Sequence, residues 1–285
     1  MIPQTVLSTE LSLDYLDVAG EDRAECQLLL ERQISPGAEV VQDFLSARLG
    51  SFNTAVPELS TAALPVTERD WIEGMLRFVP AIRNWHAERD IPDSVTLDTL
   101  ADFGRNLAIN RRVHGRFGMD TWTWLTHLFA GRIFALGRLQ FLLHQPESAI
   151  PGVADDEWIL GIHIPENGAL STHAVAESLA CAGPFFTRHF PDKPVKTANC
   201  ESWLLDPYLR AHIDKWSNIS RFTALFTPYG IPRDEPTDAV YFTFRTRSMG
   251  RLSELPRTTA LQQLVLERIE SGGSWQLGFG HLTLP

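Results

Sequence analysis

Four side chains in two short segments of the chain have the chemistry of proton transfer or nucleophilic attack. His163 is a candidate general base because imidazole titrates near neutral pH; the alternative is a half-buried histidine bonded to a backbone carbonyl. Glu201 is a second candidate base, acting through a water molecule, or else an exposed strand residue. Cys200 is either a nucleophile activated by His163 or a small buried apolar residue. Ser202 either orients a substrate or makes a hydrogen bond within its strand.

Two predicted strands and one helix position these side chains. Residues 158–164 alternate between apolar and other side chains, which is the period of a strand, and residues 198–205 form a later strand. A helix over residues 171–190 connects the two. Alternation within the later strand places Glu201 and Cys200 on opposite faces. The sequence therefore predicts that the candidate groups lie on neighbouring strands of one sheet.

The loop between the first of these strands and the helix contains a glycine and a potential helix cap. A strand that runs into such a loop and then into a helix leaves several N–H groups unpaired at the positive end of the helix. The hydroxyls of Ser171 and Thr172 could cap that end or touch a phosphate. The alternative is that Ser171 merely caps the helix and that Asn167-Gly168 merely turns the chain.

The N-terminal half has the pattern of helices. Val41, Leu45 and Leu49 recur at helical spacing, and Gly50 stands where a C-terminal cap belongs. The other predicted features of this half are a helix with a capping box at Thr67 and Asp70 that Pro80 kinks or divides, a helix opened by Pro92-Asp93, a helix capped by Asp120, and a loop over residues 51–65.

After Gly131 strands and helices alternate, which indicates an α/β layer arrangement. Residues 138–143 have the pattern of a half-buried strand, and Gly183-Pro184 should disturb the helix over residues 171–190. Gly278-Phe279-Gly280 lies in a terminal strand, so we interpret it as a bulge or a close-packing site. The other predicted elements are a helix around residues 219–226, a strand over 240–244, a helix over 259–269 and a closing strand over 275–284.

Composition excludes several classes of function. The chain has 285 residues and a formal net charge of -10, which argues against nonspecific binding to nucleic acid or to an anionic membrane. The first 25 residues do not form a secretory signal, and charged residues interrupt the most apolar stretch, 122–143. Three cysteines are too few for a disulfide framework, and there is no histidine pair at zinc spacing. We expect a cytoplasmic protein without a metal.

Several segments then stand in a characteristic order and spacing. They are Leu97-Asp98-Thr99-Leu100, Gly137-Arg138-Leu139-Gln140-Phe141, His163-Ile164-Pro165, Cys200-Glu201-Ser202-Trp203-Leu204-Leu205-Asp206-Pro207 and Ser217-Asn218-Ile219. Together they resemble the GNAT-like acyltransferase-domain proteins with a helical N-terminal domain. The fold class that this resemblance implies is α+β or α/β. A helical domain over residues 1–130 is followed by a GNAT-like mixed β-sheet domain, flanked by helices, over 131–285.

The resemblance implies an acyl-coenzyme A-dependent N-acyltransferase, with acyl-CoA as co-substrate and an amine of a small molecule as acceptor. A tyrosine often protonates the leaving thiolate in such enzymes, and Tyr208 and Tyr229 are available. The implied cofactor contacts are Ile164, Gly168, Ala169, Leu170, Ser171 and Thr172, and the implied substrate contacts are Gln140, Trp203 and Asn218.

The loop departs from the usual GNAT pattern, in which a glutamine or arginine is followed after two residues by a glycine-rich turn. Residues 165–172 contain one glycine only. This departure favours an alternative, a non-catalytic GNAT-like scaffold that binds a metabolite or a protein partner. A hydrolase or transferase that uses Cys200 with His163 is a third hypothesis.

Overall fold

The computed structural model describes residues 9–52, 66–246 and 248–285. Most of the loop predicted over residues 51–65 lies outside these described residues. The chain divides into two compact units. The first consists of Met1–Leu136, Gln140–His144 and Ile164–Glu166, and the second of Gly137–Leu139, Gln145–His163 and Asn167–Pro285. The domain boundary between residues 130 and 131 stays a prediction.

Helices dominate the first unit. They are α1 (Thr9–Tyr15), α2 (Gly20–Glu31), α3 (Pro36–Arg48), α4 (Glu68–Ala87), α5 (Asp93–His114) and α6 (Trp122–Phe129), and they are followed by strands β1 (Ile133–Leu136) and β2 (Leu139–His144). The capping box of Thr67 and Asp70 is confirmed at the start of α4. The N-cap of α6 is Thr121, so the prediction that Asp120 caps this helix was wrong.

Pro80 lies inside α4 and does not divide it. A proline removes one hydrogen bond of a helix, and here Val79 and Ile82 on either side are fully buried, so packing holds the helix together. The pattern of β2 was also misread as half-buried, because five of its six residues are buried.

The second unit contains mixed strands with flanking helices. Its elements are β3 (Trp158–His163), α7 (Thr172–His189), β4 (Val195–Ser202), α8 (Pro207–His212), α9 (Asn218–Thr223), β5 (Thr227–Pro228), β6 (Arg233–Asp234), α10 (Pro236–Phe244), α11 (Ala260–Glu270) and β7 (Gln276–Thr283). Strand β4 runs parallel to β3 and antiparallel to β7, and β7 also pairs with β5 and β6. A helical N-terminal region followed by strands of mixed direction confirms the predicted fold class.

Three elements of the second unit differ from the sequence prediction. The segment 240–244 was predicted as a strand but belongs to helix α10, which begins at Pro236. Val240 and Phe244 are one helical turn apart and both pack in the cluster around Trp275. A short run of branched and aromatic residues does not distinguish a strand from a buried helix. Strand β4 ends at Ser202, and a 3₁₀ turn follows. Pro184 lies within a continuous α7.

Gly278 confirms the predicted close packing in the terminal strand. A Cβ atom on this residue would lie 2.3 Å from the backbone oxygen of Leu205. A side chain at this position would therefore collide with main-chain atoms. In the part of the chain that the structure describes, no helix is long and apolar enough to cross a membrane.

Asp206 connects α8 to β7 within the second unit. Its Oδ1 accepts hydrogen bonds from the backbone N–H groups of Tyr208 (2.6 Å) and Leu209 (3.3 Å), and its Oδ2 accepts one from Gln276 (2.7 Å). The side chain is almost fully buried. One carboxylate thus satisfies three main-chain donors from two elements.

We expect Asp206→Ala to lower the free energy of unfolding by about 2 kcal/mol, because it leaves these buried donors unpaired. Urea unfolding followed by circular dichroism measures the change. Asp214→Ala is the matched control, since Asp214 accepts one such bond, from Trp216, at an exposed position. Equal losses in the two variants would contradict the structural role of Asp206.

Candidate active site

Strands β3 and β4 pair over only part of their length. Their last paired residues are Gly161 and Asn199, whereas β4 continues to pair with β7 as far as Ser202 opposite Gly278. The β3–β4 ladder thus ends two residues before β3 itself ends at His163, while β4 is still held on its other side. The end of this ladder is the place where a gap between the two strands can hold part of a ligand.

His163 and Glu201 lie on the same face of the strands. Gly161 and Asn199 are partners and so face the same way, and each candidate base follows one of them by two residues. Phe279 of β7 pairs with Glu201 and shares this face. The structure therefore brings the two candidate bases to one side of the strand end, whereas the sequence predicted only that they lie on neighbouring strands.

The loop before α7 presents main-chain donors. Ser171 is the N-cap, and its hydroxyl oxygen accepts from the backbone N–H of Ala174 at 3.3 Å. Within the described residues, the N–H groups of residues 168–173 donate to no protein acceptor. Gly168 has a φ of +142°, and a Cβ built there meets nothing within 4 Å. A helix end with several unpaired N–H groups is suited to bind a phosphate.

Glu201 has an altered acidity. Partial desolvation by the surrounding protein raises the pKa of its carboxyl group, although the side chain still reaches solvent. Repulsion from the nearby carboxylate of Glu147 raises it further, and the charge of Arg233 acts in the opposite direction. A carboxylate with a raised pKa is a better proton acceptor, which suits a general base.

Tyr229 lies beside this carboxylate in a buried position. Asn199 donates a hydrogen bond from Nδ2 to the phenolic oxygen at 3.4 Å. Burial raises the pKa of the Tyr229 phenol; the Asn199 bond opposes this shift, and the charge of Glu201 adds to it. Tyr208, the other tyrosine that the sequence offered, instead stacks on His212 at 3.7 Å between ring centroids. Tyr229 is therefore the phenol available to donate a proton next to Glu201.

Comparison with known proteins decides the family. Residues 9–131 match the N-acyltransferase N-terminal domain, and residues 133–282 match the GNAT-like C-terminal domain. The chain belongs to the GNAT-like acyltransferases. This confirms the resemblance that the motifs indicated. No curated protein matches the chain.

Solved structures of acyltransferases are similar over nearly the whole of this GNAT-like chain. An acyltransferase in complex with CoA and 10C-teicoplanin is 30% identical, with 96% of this chain and 86% of that chain covered and a TM-score of 0.83. One in complex with decanoyl-CoA is 31% identical with the same coverage and a TM-score of 0.82. One in complex with decanoyl-CoA and teicoplanin is 30% identical, covers 100% and 91%, and has a TM-score of 0.83.

Two of the catalytic candidates in this GNAT-like domain, Cys200 and Ser202, lie where they have structural roles. Cys200 is buried on the face opposite Glu201, and burial raises the pKa of its thiol to about 12, so it is protonated at neutral pH. The geometry thus favours the buried apolar alternative for Cys200. The hydroxyl oxygen of Ser202 accepts from the backbone N–H of Leu204 at 3.1 Å and caps the 3₁₀ turn.

The predicted substrate contacts lie on three different elements. Trp203 is a core residue whose ring meets that of Trp275 edge-on at 5.9 Å, and its contact with substrate stays a prediction. Asn218 is the exposed first residue of α9. Gln140 belongs to the first compact unit and is 2% exposed. Ile164, a predicted cofactor contact, also belongs to the first unit.

The sequence does not identify Glu147 and Arg233 as the two residues whose charges shift the pKa of Glu201. Glu147 lies before β3, and Arg233 forms β6 with Asp234, so each is distant from Glu201 along the chain. No local motif marks either residue. Alternation along β4 does place Asn199 on the face of Glu201, and that signal could have identified it as a site residue. Among the described residues, no group of three or more His, Cys, Asp or Glu side chains could hold a metal ion.

Proposed function

We propose that this chain is an acyl-CoA-dependent N-acyltransferase that acts on an amine of a small molecule. The observation that carries this proposal is the combination of the β3–β4 ladder ending at Gly161 and Asn199 with the unpaired amides of residues 168–173. The first feature suits a thioester held between two strands, and the second suits the phosphates of CoA. The CoA and decanoyl-CoA bound by similar acyltransferases support the same donor.

Glu201 and Tyr229 divide the proton transfers in the proposed reaction. The acceptor nitrogen attacks the thioester carbonyl, so that a C–N bond forms and the C–S bond breaks. Glu201 takes the proton that the amine loses, directly or through a water molecule. Tyr229 gives its phenolic proton to the departing thiolate and regains one from solvent. His163, on the same face as Glu201, is the alternative base.

Main-chain groups complete the proposed site. The thioester oxygen becomes negative in the transition state and needs hydrogen-bond donors that are already oriented. Beyond Asn199, β4 is held by β7 and no longer by β3 in the described residues. That rigid strand edge is suited to supply the donors. Acyl-CoA binds as a substrate and CoA leaves as a product.

Two observations favour this enzyme over a non-catalytic scaffold. Side chains that closed the strand gap or the loop would support the scaffold, but the β3–β4 ladder stops early and the space around Gly168 is open.

The exposed free thiol of Cys181 supports a reducing cytoplasm as the compartment. Isothermal titration with CoA and decanoyl-CoA is the direct test, and no detectable binding of either would contradict the proposal.

We expect Thr172→Pro to weaken CoA binding about tenfold, because it removes one unpaired N–H from the proposed phosphate site. Thr172 is the first residue of α7, where proline is tolerated, and Ser171 before it has an extended backbone that a following proline accepts. Isothermal titration measures the affinity. Thr172→Ala, which removes only the hydroxyl, is the control and should stay within about threefold of the parent chain. Unchanged affinity in Thr172→Pro would remove this amide from the site.

A further inference from the structure

Arg138 contacts the loop that carries the proposed phosphate site. Its Nε donates to the backbone oxygen of Ala169 at 3.1 Å, and its Nη2 donates to the backbone oxygen of Gly168 at 2.9 Å. The guanidinium thus bridges two successive carbonyl groups. A planar fork of donors matches such a pair of acceptors in a way that a lysine ammonium does not.

The main chain at Arg138 is itself attached to α7. The backbone N–H groups of Arg138 and Leu139 donate to the hydroxyl oxygen of Ser178 at 2.7 Å and 3.2 Å, and that hydroxyl donates to the carbonyl of Ala174 at 3.0 Å. Gly137 has a φ of +71°, and a Cβ there would lie 3.0 Å from the same hydroxyl oxygen. The turn of residues 137–138 is therefore anchored to the first half of the helix.

This bridge determines where two loop amides point. In a planar trans peptide the C=O and the N–H point in opposite directions. Since the carbonyls of Gly168 and Ala169 face Arg138, the N–H groups of Ala169 and Leu170 face away from it. Both N–H groups are among the unpaired donors of the loop. The two hydrogen bonds therefore oppose rotation of these two peptides.

We propose that Arg138 is a positioning residue that orients the Ala169 and Leu170 amides toward the phosphates of acyl-CoA. This inference rests on the function proposed above. It also assigns a role to the Gly137-Arg138 part of a motif: the glycine permits the turn beside Ser178, and the arginine holds the loop. Arg138 acts through the loop and needs no contact with the reacting atoms.

The test compares a donor that has phosphates with one that lacks them. Decanoyl-CoA and decanoyl-pantetheine carry the same thioester, but only the first has phosphates for the loop. We expect Arg138→Ala to weaken decanoyl-CoA binding about tenfold or more and to leave decanoyl-pantetheine binding unchanged. Arg138→Lys keeps the charge but cannot bridge both carbonyls, so it should show an intermediate loss. Isothermal titration and melting temperatures are recorded for every variant.

Arg188→Ala is the control for net charge, because Arg188 is an exposed residue in the last turn of α7, far from the loop. If the parent chain binds decanoyl-CoA and Arg138→Ala binds it equally well, the positioning role is wrong while the proposed function stands. Equal losses for both donors would also overturn it, since they indicate general damage to the fold. If Arg138→Ala fails to fold, the same comparison in Arg138→Lys decides. A parent chain that binds no CoA would overturn both proposals.

Discussion

Glu201→Gln is expected to lower kcat by about 10²–10⁴-fold, because glutamine has nearly the same shape but cannot accept the proton of the attacking amine. The KM for decanoyl-CoA should change little, since the proposed phosphate site is the loop before α7 and does not include Glu201. Release of the CoA thiol from decanoyl-CoA in the presence of a panel of amines measures the rate. Glu267→Gln makes the same chemical change on the exposed face of α11 and should leave kcat unchanged.

The pH dependence gives a second signature of the same residue. In the proposed mechanism Glu201 acts when ionised, so activity should fall as the pH drops through its raised pKa, and this acidic limb should be absent from Glu201→Gln. Glu147→Gln removes a repulsive charge, which lowers the pKa of Glu201 and moves the limb to lower pH. Arg233→Gln removes an attractive charge and moves the limb to higher pH.

Two results would contradict this role of Glu201. If Glu201→Gln retained the parent kcat, the general base would be His163 or solvent and not Glu201. Shifts of the limb in the same direction for Glu147→Gln and Arg233→Gln would mean that the titrating group is not the carboxylate between these two charges.

Trp275→Ala is expected to lower the free energy of unfolding by about 3–5 kcal/mol, the range for truncating a large aromatic residue in a core. The side chain is 0% exposed, meets Trp203 and Tyr208 edge-on at 5.9 Å each, and donates from Nε1 to the backbone oxygen of Val265 at 3.1 Å. The substitution therefore leaves a cavity and one unpaired carbonyl. A lower urea midpoint at constant slope measures the loss.

Trp216→Ala is the matched control, because it removes the same side chain from a position that is 68% exposed. Its effect should stay within about 0.5 kcal/mol. If the two tryptophan variants lost similar stability, Trp275 would not be the centre of the core formed by α8, α10, α11 and the following strand.

Local rules determined much of this fold from the sequence. A capping box depends on residues three positions apart, so the box of Thr67 with Asp70 could be predicted without knowledge of the rest of the chain. The predicted helix over 259–269 begins with a box of the same spacing, Thr259 with Gln262. The period of two in residues 158–163 and the helix that starts beside Ser171 are equally local. The family resemblance also depends on short motifs in sequence order.

Prediction failed where distant packing decides between two local options. Residues 240–244 have strand composition, yet the cluster around Trp275 stabilises them as the end of α10. Trp203 continues the alternation of β4, but the cap by Ser202 turns the chain and the ring enters the core. Packing against other elements, together with the local cap at Ser202, thus outweighs a strand preference of up to about 1 kcal/mol per residue.

The sequence by itself determined which segments form the candidate site: the strand with His163, the loop before α7 and the strand with Glu201. Only the tertiary structure decided that the β3–β4 ladder stops at Gly161 and Asn199, that Tyr229 and not Tyr208 lies beside Glu201, and that Arg138 holds the loop. Strand register, burial and long-range hydrogen bonds depend on residues that are far apart in the chain. A pattern of neighbouring residues does not predict these features, because the packing of the whole domain determines them.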